Sequence, residues 1–199
     1  MTQVDLTRLH ALLVGCQVEE RRALFKMLRE EFPIHDLERK LNVSAEVILE
    51  AISRASDLTL RGIRGIIAEA AFKQYEIARI TETANWEDVP LNGDHSYDFA
   101  IKDSVGTVRI QVKMQRQKEQ RPMLAFEANK TMFCTLTDQF VVETQRTRGG
   151  TDKDGKATRP YKFGEFDILA VAMHPSTGDW SQFLYTVERW LIATPGTSS

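Results

Sequence analysis

The chain has 199 residues, enough for one sizeable core or for one core plus a small appended domain. Hydrophobic residues make up 42% and charged residues 27%, the balance of a globular chain and not of a disordered one. No apolar run approaches the roughly 20 residues that cross a bilayer, and Met1 to Arg8 lacks a basic start leading into an apolar stretch, so neither a membrane span nor a signal peptide is expected. The two cysteines, Cys16 and Cys134, have no metal-ligand spacing. They read as buried thiols of a reducing compartment, with the cytoplasm as the default location.

Net charge is only −2, which argues against nucleic-acid binding until its distribution is considered. Residues 104–162 hold 12 Lys and Arg against 6 Asp and Glu, and the rest of the chain carries the acidic excess. A chain polarised in this way can present phosphate with one basic face and stay soluble.

In chain order, Leu6 to Phe32 reads as helix with a break near Gly15, because apolar residues recur at helical spacing up to Pro33. Two shorter helices follow, Ile34 to Leu41 and Ser44 to Arg54, with Ser44 as N-cap. Leu37, Leu41, Val43, Val47, Ile48, Ala51 and Ile52 fall where a helix-turn-helix buries its inner face. The second helix would show Glu46 and Glu50 to DNA, so a packing or dimerisation element competes with a DNA-reading one. The domain boundary is expected near residue 56, with residues 1–56 as a helical region and 57–199 as the main domain.

A helix over Arg61 to Ile80 should bury Ile63, Ile66, Ile67, Ala70, Ala71 and Phe72, with Glu69 beside that face. The period then changes. His95 to Lys102 and Thr107 to Met114 read as a hairpin around Asp103-Ser104-Val105-Gly106. Pro122 to Phe133 reads as helix and Gln139 to Gln145 as strand. Arg146 to Lys162 (RTRGGTDKDGKATRPYK) is a long Gly-, Lys- and Arg-rich loop. Phe166 to Met173 is the apolar run of a buried central strand, and after a turn at Pro175 to Asp179 another strand runs from Trp180 to Val187. The fold class expected is α/β: a mixed β-sheet flanked by helices, after a helical amino-terminal region.

The chemistry concentrates in Tyr97-Asp98-Phe99-Ala100-Ile101 and Arg109-Ile110-Gln111-Val112-Lys113-Met114-Gln115. Gln111 and Lys113 are two apart in a strand and share a face. Hairpin pairing brings Asp98 to the edge of that face. Asp98, the Gln111 amide oxygen and the Val112 carbonyl are hard donors suited to Mg²⁺ or Mn²⁺. An ion there would lower the pKa of a bound water and draw off charge from a phosphoryl oxygen. Lys113 would orient that water or neutralise the phosphorus centre, and Glu69 would reach in from its helix. Beyond the lysine, Gln115, Arg116 and Lys118 are placed to meet backbone phosphate. In the loop, Arg146, Arg148 and Arg159 are candidates for contact with double-stranded DNA. Asp167 is better explained by a structural pair with Arg or Tyr.

A helical Glu, an Asp at the end of one strand and a QxK tripeptide on the next resemble the PD-(D/E)xK nuclease superfamily, whose familiar members are type II restriction endonucleases. The resemblance spans about Arg61 to Lys113 by motif. It departs at Tyr97, where Pro is usual, and at Gln111, where Asp or Glu is usual. One branch of the superfamily instead places a glutamate on the following helix, and Glu127, fourteen residues after Lys113, lies at that distance. The resemblance implies a restriction-endonuclease-like sheet and Mg²⁺-dependent, sequence-specific cleavage of DNA by a homodimer, with a companion methyltransferase as partner. The alternatives are a structure-specific nuclease and a non-catalytic DNA-binding or regulatory protein acting through the amino-terminal helices.

Overall fold

A computed structural model describes residues 6–32, 35–93, 95–142 and 161–192. The chain divides into two compact units, Met1–Ser56 and Asp57–Ser199. In the first, α1 (Leu6–Gly15) and α2 (Val18–Glu31) are separated at Cys16-Gln17. The Gln17 backbone N–H donates to Glu20 at 2.8 Å and so caps α2. Then come α3 (Asp36–Leu41) and α4 (Ala45–Ser53), joined through Asn42, whose left-handed φ of 52° ends α3. Ser44 precedes α4 without a side-chain cap; Glu38 instead accepts from the Ala45 N–H at 3.2 Å.

The inner face expected of α3 and α4 is not buried. Leu37, Leu41 and Val47 are exposed, as are Val43 and Ala51, and only Ile48 and Ile52 are half-covered. Helices of six and nine residues in a unit this small have too little surrounding chain to enclose an apolar face. Nor are the thiols buried: Cys16 is half-exposed, Cys134 is exposed, and both are free.

The second unit opens with α5 (Asp57–Phe72), which runs on through a wider π turn (Lys73–Ile77) into α6 (Ala78–Thr83). Its buried stripe is Ala68, Ala71, Phe72 and Ile77: Ala71 and Phe72 are buried as expected, whereas Ala70 is exposed and Ile66 and Ile67 are 65% and 40% exposed. The small Ala68 and Ala71 let the helix lie close against the sheet. The π turn admits the extra residue that moves the next inward position from the ordinary helical step after Phe72 to Ile77.

Described residues form a five-stranded sheet in the order β1 (Glu87–Asp88), β2 (Phe99–Lys102), β3 (Thr107–Met114), β6 (Ile168–Ala172), β7 (Phe183–Val187). All neighbours are antiparallel except β3 and β6, which run parallel from Ile110↔Ile168 to Met114↔Ala172. The fold is thus mixed α/β, with a mixed sheet flanked by helices. A separate hairpin pairs β4 (Gln117–Lys118) with β5 (Arg121–Pro122). Glu119 and Gln120 turn it, both left-handed at φ 52° and 59°. The helix expected after Pro122 shrinks to α7 (Ala125–Ala128), and the Pro175 turn is a short helix, α8 (His174–Thr177), closed by Gly178 at φ 72°. Of the strand expected at Gln139 to Gln145, the described part makes only a bridge from Phe140 to Leu124.

The central strands are buried on both faces, as their near-continuous apolar character requires. One face packs Ile101, Ile110, Val112, Ala170 and Ala172 against Ala68, Phe72 and Ile77. The other clusters Phe166, Leu169, Val171 and Met173 with Tyr97, Val142, Tyr161 and Leu191 around them. Phe72, 1% exposed, joins helix to sheet, its ring 5.4 Å from that of Phe99 and 5.2 Å, edge-on, from that of Phe183. Phe72→Ala should therefore cost about 3–5 kcal/mol, read as a lower denaturant midpoint in urea unfolding.

Candidate active site

Strand β3 presents alternate residues to its two neighbours. Arg109 and Gln115 make backbone bonds toward β6 (Asp167 N–H to Arg109 C=O, 2.9 Å; Gln115 N–H to Ala172 C=O, 3.1 Å), while Ile110 accepts from the Asp98 N–H at 2.9 Å. Val112 therefore faces the β2 side. But β2 begins only at Phe99, so Val112 meets no strand there. The Asp98 carboxylate takes that place: its Oδ2 accepts from the Val112 N–H at 2.7 Å and from the Gln111 side-chain amide. The same amide donates to the Val112 carbonyl at 3.2 Å. A carboxylate, an amide and a backbone carbonyl thus meet at one point where the strand beside β3 stops.

Side chains alternate the other way. Ile110 and Val112 point into the core under α5, which leaves Gln111, Lys113 and Gln115 on the opposite face beside Leu169, Val171 and Met173. Gln111 is fully buried, and its Oε1 has no partner among the described residues. A buried oxygen left bare is costly. Turning the amide over would bring Oε1 toward Asp98 and the Val112 carbonyl, three oxygens around one point, an arrangement that a cation would stabilise. The donor set therefore fits a hard divalent ion. Among the described residues no three His, Cys, Asp or Glu side chains gather as a metal site. The fit depends on the amide and carbonyl oxygens.

Three ionisable groups share this region. Burial pushes the Asp98 carboxyl above its ordinary range, against the opposing pull of the Val112 N–H, Lys113 and Gln111. Burial also raises Glu69, helped by the charge of Asp98 and opposed by Lys113, so α5 brings Glu69 within electrostatic reach of both. Lys113 is pushed down by burial, partly offset by Asp98 and Glu69. Its ammonium lies 3.3 Å from the Tyr161 hydroxyl and 5.0 Å from the centre of that ring.

The remaining expected residues fall elsewhere. Glu127 sits in α7 with its carboxylate held by Arg121 (2.6 and 2.8 Å), Lys118 (3.1 Å) and the Leu124 N–H (3.1 Å), which depress its pKa to about 2. The structure thus shows Glu127 engaged in a local ion-pair cluster with Arg121 and Lys118. That pairing also occupies Lys118. Gln115 is turned inward and 8% exposed, its Oε1 accepting from the Ser176 hydroxyl at 2.8 Å, so it does not offer a surface contact to phosphate. Strand alternation placed it on the Lys113 face, beneath α8. Arg116 is exposed. Arg146, Arg148 and Arg159 lie outside the described residues. Asp167 pairs with Arg109 at 2.9 Å and aligns the start of β3 with that of β6.

No known family model matches the chain, and no curated protein matches it. Among solved structures, a bacterial homing endonuclease, I-Ssp6803I, is similar at 21% identity over 72% of this chain and 83% of that one, with a TM-score of 0.33. That score is too low for the likeness to bear on the activity of this chain.

Two residues of the site were not signalled by sequence. Tyr161 ends a polar run and gave no sign that it would return to Lys113. Ser176, inside a turn motif, gave no sign of its bond to Gln115.

Because the folded state favours protonated Asp98 and Glu69, their contribution to stability is complete in acid and is lost as pH rises through the raised values. In cation-free buffer, Asp98→Asn should thus unfold at higher temperature than wild type near about pH 8, the gap closing toward about pH 4. Mg²⁺ should raise the wild-type melting temperature at the higher pH and leave Asp98→Asn unmoved, as calorimetry would record.

Proposed function

We propose that this chain is a Mg²⁺-dependent DNA endonuclease that hydrolyses phosphodiester bonds, acting as a sequence-specific enzyme of the type II restriction kind. The observation that carries the reading is the meeting of the Asp98 carboxylate, the Gln111 amide and the Val112 carbonyl at the end of β2, with Lys113 on the same face and Glu69 within reach. Asp98, Gln111 through its oxygen and Val112 would hold the ion, and Mn²⁺ would serve in place of Mg²⁺. Glu69 would steady it through water. Bound there, the ion would supply a water of lowered pKa and a sink for phosphoryl charge.

The chain's own groups divide the remaining work. Lys113 orients the attacking water or meets charge building on the phosphorus centre, a task for a point cation. Its pKa is lowered by burial, beside Val171 on the neighbouring strand. Arg116, exposed just beyond β3, is placed to hold backbone phosphate, with Arg146, Arg148 and Arg159 adding contacts to double-stranded DNA. A palindromic target calls for two such sites, hence a homodimer, and a cleaving enzyme of this kind calls for a methyltransferase that protects host DNA. No described helix is long and apolar enough to cross a membrane.

Incubation with varied plasmids in Mg²⁺ or in EDTA tests the proposal. Discrete metal-dependent fragments are expected; a smear would point to a non-specific or structure-directed enzyme, and uncut plasmid in every metal would reject nuclease activity. Lys113→Ala and Asp98→Asn should each lower cleavage by roughly 10²–10³-fold or more, while gel shifts show DNA still bound.

A further inference from the structure

Lysine carries its charge on a flexible four-carbon stem, so a chemical task demands something that keeps the ammonium in one place. Three groups bear on Lys113: Asp98, from the approach to β2, and Glu69, from α5, through their charge, and Tyr161, from the segment that leads toward β6, by contact. Of these, Tyr161 makes the direct contact. The ammonium is 3.3 Å from the phenol oxygen and 5.0 Å from the ring centre, so it stands at the hydroxyl end of the ring and meets the oxygen. The ring is itself fixed. It meets Phe166 edge-on at 5.8 Å and 83°, and Phe166, 2% exposed, lies in the apolar cluster with Leu169 and Val171. A rigid line thus runs from the core through Phe166 and Tyr161 to Lys113.

We propose that Tyr161 is a positioning residue that fixes the Lys113 ammonium on the Asp98 face of β3, its hydroxyl making the contact and its ring fixing where that hydroxyl stands. This rests on the nuclease reading and deepens it: the phenol would hold the cation aimed at the reacting phosphate without touching DNA itself. The contact also leaves a mark that needs no catalysis, since removing the hydroxyl changes the surroundings of the protons next to the Lys113 nitrogen.

The test uses the full chain labelled with ¹³C-lysine. The Lys113 Cε–Hε signal, assigned by its disappearance in Lys113→Arg, should stand apart from those of the other lysines. It should move toward them in Tyr161→Phe, which keeps the ring and loses the hydroxyl, and in Tyr161→Leu. On plasmid DNA with Mg²⁺, both variants should lose about tenfold or more in kcat with KM little changed. A Lys113 signal that does not move in Tyr161→Phe, or unaltered kcat in that variant, overturns the positioning role alone. Wild-type protein that never cuts DNA overturns the nuclease reading and this role with it, even with the Lys113 signal set apart.

Discussion

One hydrogen bond organises the site: the Val112 N–H to the Asp98 carboxylate, 2.7 Å. A neighbouring strand would ordinarily satisfy that N–H with a backbone carbonyl. Here β2 stops two residues short of the position opposite Val112, and a side-chain carboxylate completes the ladder. The exchange satisfies the backbone, brings a negative charge into the interior and turns the Val112 carbonyl toward the same point. Gln111, buried beside them, then has one amide to divide between two oxygens.

The electrostatic consequence is a region ill-suited to its own charges. Asp98 and Glu69 are driven toward their neutral forms and Lys113 toward its own, because burial removes more hydration than the three recover from one another. Natural cores avoid such clusters unless a bound species repays the cost. A divalent ion would do so for the carboxylates, and phosphate would do so for the lysine. Glu127 is the instructive contrast: equally carboxylate, but answered by Arg121 and Lys118, and so satisfied without any ligand.

Much of this was legible in the residues. The two-residue period through Gln111 and Lys113, the apolar run before Met173 and the turn at Asp103 to Gly106 specify a hairpin and a buried central strand of a mixed sheet. Strand period alone put Gln111 and Lys113 on one face. What could not be read was governed by contacts distant in sequence. The Ala68–Phe72–Ile77 stripe depends on a π turn whose cause lies in packing against the sheet. Glu127 matched a spacing, but spacing along the chain cannot foresee Arg121 folding back across a tight hairpin. Gln115 shares the face of Lys113, yet α8, about sixty residues later, covers it. Periodicity reports which side of a strand a residue takes, not what will lie above it.

The early end of β2 makes strand length itself a functional trait. Were the pairing to run two residues further toward the amino terminus, a main-chain carbonyl would claim the Val112 N–H and the Asp98 side chain would be levered out of the sheet. Every side chain named above could remain unchanged and the oxygen cluster would still come apart. Insertions and deletions in the approach from Asn92 to Tyr97 should therefore be tolerated far less than the solvent exposure of much of that stretch suggests.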